Sequence, residues 1–292
     1  MSEITSSKSR RAIVLGFLAL FSTAATAAVP VALAITLDGT NGDDTLIGTE
    51  EADRITGNGG NDAISGRGGN DYLYGGTGDD KIYGNDGSDN IYAWYGNNYV
   101  SAGSGDDKIW ATGELSASND NNLYGSGGDD TFTIRQSGAL VRGGGGNDYI
   151  DAVADSGTGQ GFLLYGDSGD DYARAVDNKA KMYGGSGNDH LVGVGEASHE
   201  LFGGADNDWL EISTDIPSIA RGGDGDDYIK STFEGVLRGE DGNDILESAT
   251  ELASNIMVGG PGSDEFRCYG ANDMVDDFDA SEGDVMVGDC ET

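Results

Sequence analysis

The sequence predicts an all-β solenoid in which short parallel strands stack in coils of roughly 18 residues. Three observations predict it. Nonapeptides follow one another without a break from Gly39 to Trp110, glycine fills 51 of the 292 positions against 3 prolines, and the eighth place of each nonapeptide is aliphatic. A helix is excluded, because each recurring glycine would cost about 1 kcal/mol relative to alanine. The chain must instead turn every nine residues. Charge adds a condition: 52 acidic against 16 basic side chains leave a net charge of -36, which opposes compaction unless a cation neutralises it. Nucleic acid is not an expected partner, since no basic stripe is present to meet phosphates.

Residues 1–34 stand apart from the repeats. Lys8, Arg10 and Arg11 precede an uncharged, alanine-rich stretch at residues 12–34. This is the layout of a secretory signal peptide, with "ATA" at residues 25–27 or "ALA" at 32–34 near the peptidase site. An uncleaved membrane anchor is the alternative, because 23 uncharged residues could span a bilayer. Pro30 and the alanine-rich end suit cleavage better, and cleavage would leave no stable membrane span.

The nonapeptides begin at Gly39, Gly48, Gly57, Gly66, Gly75, Gly84, Ala93 and Ala102. Their sixth place is acidic at Asp44, Asp53, Asp62, Asp71, Asp80, Asp89 and Asp107, with Asn98 the one substitution. Glycines at places one, two and four are expected to supply the positive φ of a tight turn, and places seven to nine to form a strand. Alternation sends place eight inward and places seven and nine outward. Two turns and two strands close one coil, so like turns lie one above another, about 4.8 Å apart. The sixth-place carboxylates then form a column whose repulsion calls for a cation between successive turns. Calcium fits, as a hard ion that takes about 6 to 8 oxygens from carboxylates and exposed carbonyls. Zinc does not, since it needs His or Cys and His190 and His199 are the only histidines.

The segments "GGTGDDKIY" (residues 75–83), "GGSGNDHLV" (184–192) and "GGDGDDYIK" (222–230) resemble the G-G-x-G-x-D-x-U-x nonapeptide of the RTX, or haemolysin-type, calcium-binding repeat family. The resemblance runs from about Gly39 to Asp279. It implies a parallel β-roll with Ca²⁺ held between turns by the sixth-place Asp and by carbonyls of the earlier turn residues.

Beyond residue 110 the full motif returns once per coil, starting at Gly125, Gly143, Gly166, Gly184, Gly203, Gly222, Gly239 and Gly259. One edge of the roll is therefore expected to carry Asp53, Asp71, Asp89, Asp107, Asp130, Asp148, Asp171, Asp189, Asp208, Asp227, Asp244 and Asp264 as metal ligands. The opposite edge is expected to carry only Asp44, Asp62 and Asp80 before it loses the motif. Surplus residues fall where the motif is missing, at residues 111–115 and 152–156 and around Val194, Thr214, Phe233 and Ala253. Metal geometry holds loop length on one edge and leaves the other free to drift. On the order of a dozen ions are expected.

The domain reading is a signal peptide at 1–34, the roll at 35–267 and a C-terminal cap at 268–292. Cys268 and Cys290 bracket the last segment, and an exported chain would most simply pair them, with free or intermolecular thiols as the alternative. Folding should be conditional on calcium, since bound metal offsets both carboxylate repulsion and the entropy of ordering so much glycine. That places folding outside the cell, for a protein secreted or held at the cell surface. RTX relatives usually carry a C-terminal export signal instead of an N-terminal leader, so the export route here departs from theirs.

No catalysis is expected. Adjacent pairs such as Asp43 with Asp44 or Asp129 with Asp130 mimic an acid and base, but they recur at turn places five and six, where ligation already explains them. Tyr149, Tyr172, His190, Trp209 and Tyr228 share place seven and should form an outward ladder, whose simplest role is stacking. The expectation is an exported calcium-binding structural or binding module. The alternatives are an adhesin using that ladder on a surface glycan or envelope component, and a polysaccharide-modifying enzyme of the roll-containing type.

Overall fold

A turn every nine residues produces two sheets. Twenty-seven strands, from Thr36–Asp38 to Val285–Gly288, alternate between a sheet of 14 and a sheet of 13, and each pairs in parallel with the strand one coil later. These come from a computed structural model that describes residues 33–113, 120–136, 138–154, 161–251, 253–270 and 272–292. The architecture is the expected all-β parallel solenoid. The expected leader lies outside the described residues apart from Leu33 and Ala34, and among those residues no helix is long and apolar enough to cross a membrane.

Register follows place eight. Ile55, Leu73, Ile91, Ile109 and Phe132 are successive partners in one sheet, and Ile64, Ile82, Val100 and Leu123 in the other. All are buried between the sheets. Burial of each large aliphatic contributes about 1.5 to 3 kcal/mol, and a one-residue slip would turn the whole file outward, so the pattern fixes the stacking.

Coil length varies where expected. Lys108 pairs with Thr131 and Tyr149 with Tyr172, and the surplus lies between Lys108–Thr112 and Asn121–Gly127 and between Tyr149–Val153 and Phe162–Ser168. Both surpluses are on the edge without the motif. Parts of them, residues 114–119 and 155–160, lie outside the described residues.

The turns correct one expectation. Positive φ falls at places two and four, as at Arg67 (φ 82) and Gly69 (φ 90), but not at place one. Where place one is glycine it leaves no room for more: a Cβ on Gly48 would lie 2.5 Å from Asp53 Oδ2 and 2.5 Å from the Gly66 carbonyl oxygen, whereas the turns of Ala93 and Ala102 are built around a methyl at this place. Arg67 is exposed and bears a side chain where the backbone is left-handed, a conformation that costs L-residues about 1 kcal/mol. Arg67→Gly should therefore raise stability by roughly 0.5 kcal/mol once the freer unfolded chain is set against the relieved strain, read as a higher midpoint in urea. A lower midpoint would contradict this account of place two.

At the C-terminus, Met274–Val275 and Val285–Gly288 pair with Asn255–Val258 and Glu265–Cys268, so both sheets continue through residues 268–292. Cys268 and Cys290 form a disulfide across a separation of 22 residues.

Candidate metal centre

Each sixth-place Asp stands just before a strand, where its backbone joins the sheet and its side chain turns back into the stack. The Asp53 carbonyl accepts from Tyr72 N–H at 2.9 Å, while Asp53 N–H donates to Asp71 Oδ1 at 2.7 Å. The same bond links Asp130 to Asp148 at 2.8 Å and Asp208 to Asp227 at 2.8 Å. On the short edge it links Asp44 to Asp62 and Asp62 to Asp80. One carboxylate oxygen per turn thus replaces a missing ladder acceptor. The twelve residues expected on the long edge form one continuous column, and the three expected on the short edge form another.

The second oxygen has no such partner. Among the described residues, Oδ2 of Asp62, Asp71, Asp80, Asp89, Asp107, Asp130, Asp148, Asp171, Asp189, Asp208, Asp227, Asp244 and Asp264 is buried without a hydrogen bond. None of these side chains is more than 3% exposed. A buried anionic oxygen without a donor is costly, so its environment selects either a proton or a cation. Burial raises Asp130 to about 8, against the lowering effect of Asp107 N–H, and the Asp107 and Asp148 charges push the same way as burial. Burial likewise raises Asp208 to about 8 and Asp71 to about 7.

The oxygens fit a hard cation. A Cβ on Gly143 would press on Asp148 Oδ2 and come within 2.8 Å of the Gly166 carbonyl oxygen, so a carboxylate and a carbonyl from successive coils face one small space. Among the described residues no three His, Cys, Asp or Glu side chains gather as a metal cluster. Any ion here would therefore draw most of its ligands from turn carbonyls, as calcium can and zinc does not.

Asp44 and Asp53 are placed differently. Thr40 N–H and Oγ1 donate to Asp44 Oδ2 at 2.5 and 2.9 Å, and Thr49 N–H and Oγ1 donate to Asp53 Oδ2 at 2.6 and 3.0 Å. On the short edge the column does not stop at Asp80. Asn98 and Asn121 continue it, with Asp80 N–H donating to Asn98 Oδ1 at 2.9 Å and Asn98 N–H to Asn121 Oδ1 at 2.5 Å. Register then places Ala139, Phe162, Ala180 and His199 at the same level, followed by Ser218, Gly235 and Asn255. Carboxylates give way to amides and then to apolar side chains from Ala139 to Ala180, before polar groups return at His199, Ser218 and Asn255, whose N–H donates to Asp273 Oδ1 at 3.0 Å.

A second ladder runs through place five in the opposite direction. Asn147 N–H donates to Asp129 Oδ1 at 2.7 Å, Asp170 N–H to Asn147 Oδ1 at 2.9 Å and Asn188 N–H to Asp170 Oδ1 at 2.8 Å. Sequence reasoning passed over it, although Asp, Asn or Ser at place five of every long-edge turn from Asn70 onwards was the available signal: each offers a short side-chain acceptor.

A family model described as the RTX calcium-binding nonapeptide repeat (four copies) matches residues 38–73, 74–109, 117–133, 140–158 and 181–195. The chain belongs to the RTX repeat family. No curated protein matches it. The RTX turn extends past the matched residues, because Asp208, Asp227, Asp244 and Asp264 keep the same ladder bond.

The aromatic ladder is also present on this RTX roll. Tyr149 stacks on Tyr172 at 4.9 Å, Tyr172 meets His190 edge to face at 5.1 Å, His190 stacks on Trp209 at 4.8 Å and Trp209 meets Tyr228 at 5.5 Å. Place nine carries two more ladders that the sequence reading missed, Tyr74–Tyr92–Trp110 and Tyr165–Tyr183–Phe202. Arg54 and Arg142 close one end of each over Tyr74 and Tyr165. Ring faces are engaged with neighbouring rings, which supports a stacking role.

Proposed function

We propose that this chain is an exported β-roll that folds when calcium enters its Asp columns and then serves as a structural or binding module outside the cell. The observation that carries the reading is the file of thirteen buried, unpartnered Asp Oδ2 atoms. Asp62 and Asp80 on one edge and Asp71 to Asp264 on the other would hold the ions, together with turn carbonyls. Bound calcium would supply the positive charge that lets these carboxylates remain ionised inside the fold. The Cys268–Cys290 disulfide supports an oxidising compartment, and the basic-then-apolar pattern of residues 8–34 supports a cleaved export leader. Residues 268–292 would act as a cap, stapled to the last coil by that disulfide. A non-enzymatic role is supported by the ladder bonds, which account for the paired carboxylates that would otherwise resemble an acid and base.

Circular dichroism of the mature protein with calcium and after exhaustive chelation tests the reading. The sheet signal should be lost on chelation near pH 8 at low salt and return when calcium, but not an equal concentration of magnesium, is added. A sheet signal that survives chelation unchanged would overturn it.

A further inference from the structure

The Asp columns are bounded by the protein's own donors. At the start of each column a threonine closes the carboxylate, Thr40 on Asp44 and Thr49 on Asp53. At the far end of the long column, Asp284 accepts from Asp264 N–H on Oδ1 at 3.0 Å and from Asp279 N–H on Oδ2 at 2.7 Å. On the short edge, Asn98 presents Oδ1 to Asp80 and donates Nδ2 to the Trp94 carbonyl at 2.5 Å. In each of these four turns, the atom that corresponds to the bare Oδ2 elsewhere is occupied within the chain.

The backbone makes the same division independently. Place two has positive φ in every turn whose Oδ2 is unpartnered, from Asn58 (φ 75) before Asp62 to Gly260 (φ 104) before Asp264. Thr40, Thr49 and Trp94, at the same place in the closed turns, do not. Thr is β-branched and disfavours the left-handed region, so at Thr40 and Thr49 the turn instead brings N–H and Oγ1 onto its own Asp. A turn therefore either leaves a bare oxygen or closes on itself, and place two decides which.

We propose that cation loading is set turn by turn by the backbone at place two, with one cation for each unpartnered Oδ2, and that it stops at Thr40, Thr49, Asn98 and Asp284. This rests on the calcium reading above and deepens it. It assigns eleven cations to the long edge and two to the short, and it removes Asp44 and Asp53 from the ligands that the motif alone suggests.

Native mass spectrometry of the calcium-loaded mature protein, with magnesium as the control for non-specific adducts, tests this. The wild type should carry thirteen specifically bound calcium ions. The double variant W94G/N98D, which rebuilds the open turn, should gain one, and D130N should lose at least one. Circular dichroism confirms that each variant is folded. Loading of the Thr-capped turns in the wild type, or a folded W94G/N98D with an unchanged count, would overturn the inference while leaving calcium binding intact. Absence of specific calcium altogether would overturn the calcium reading itself.

Discussion

Gly143→Ala is expected to weaken the roll near its middle and to raise sharply the calcium needed to fold the coils on either side, even though Ala102 is accommodated at the same place before Asp107. The new Cβ would press on Asp148 Oδ2, lie 2.6 Å from Asp148 Cγ and 2.8 Å from the Gly166 carbonyl oxygen. Neither neighbour can give way cheaply. Asp148 Oδ1 is fixed by Asp130 N–H at 2.8 Å, and Gly166 belongs to Phe162–Ser168, which pairs on both sides. Ala102 holds this place before Asp107, so a turn can be built around the methyl, but at Gly143 admitting it means displacing Asp148 Oδ2 and the Gly166 carbonyl together, so steric cost and weakened ligation act together. Overpacking alone costs about 1 to 3 kcal/mol, and loss of a cation would add to it. Gly127 is the control: a Cβ there meets nothing within 4 Å and its φ is not positive. Calcium titrations followed by circular dichroism should show Gly127→Ala close to wild type and Gly143→Ala needing far more calcium. Equal midpoints for the two would remove place one from the account of the site.

The comparison between these two glycines shows what the nonapeptide discloses and what it does not. The period, the inward file of Ile55, Leu73 and Ile91, and the Asp columns all follow from one residue type at one spacing, so counting recovers them. The short edge is harder, because Asn121, Ala139 and Phe162 share no residue type and only the register reveals that they occupy one level. Thr40 and Thr49 pose a different difficulty. As non-glycine residues at place two they resemble Asn58 and Arg67, yet those two accept positive φ and the threonines do not. The signal was present in the β-branch, but the family pattern, which specifies glycine there, gives no reason to weigh one substitution against another. Place one was misread for a related reason: glycine is required both where the backbone is left-handed and where a Cβ has no room, and a sequence does not separate the two.

Without divalent cations the roll should be more stable in mild acid than in mild base. The ordinary Asp value is 3.8, and burial raises the column to about 6 at Asp89 and Asp171, about 7 at Asp107 and Asp189 and about 8 at Asp130 and Asp208. Since the folded values exceed the unfolded one, the folded state binds more protons across this range, and stability falls as pH rises. The protonated contribution is complete below about 3.8 and is lost as pH passes through about 6 to 8. Many carboxylates lose their protons over the same interval, so the effect accumulates along the column. Metal-free protein should show sheet structure and a melting transition at pH 5.5 and neither at pH 8.5, where chelation already unfolds it. Calcium should reverse the sign, because it competes with protons for the same oxygens and binds best where they are ionised. Adding calcium to unbuffered protein near pH 7 should therefore release protons and acidify the solution. A metal-free Tm that is flat, or highest at pH 8.5, would mean that the buried Oδ2 atoms carry no excess protons, and the electrostatic basis for conditional folding would fail with it.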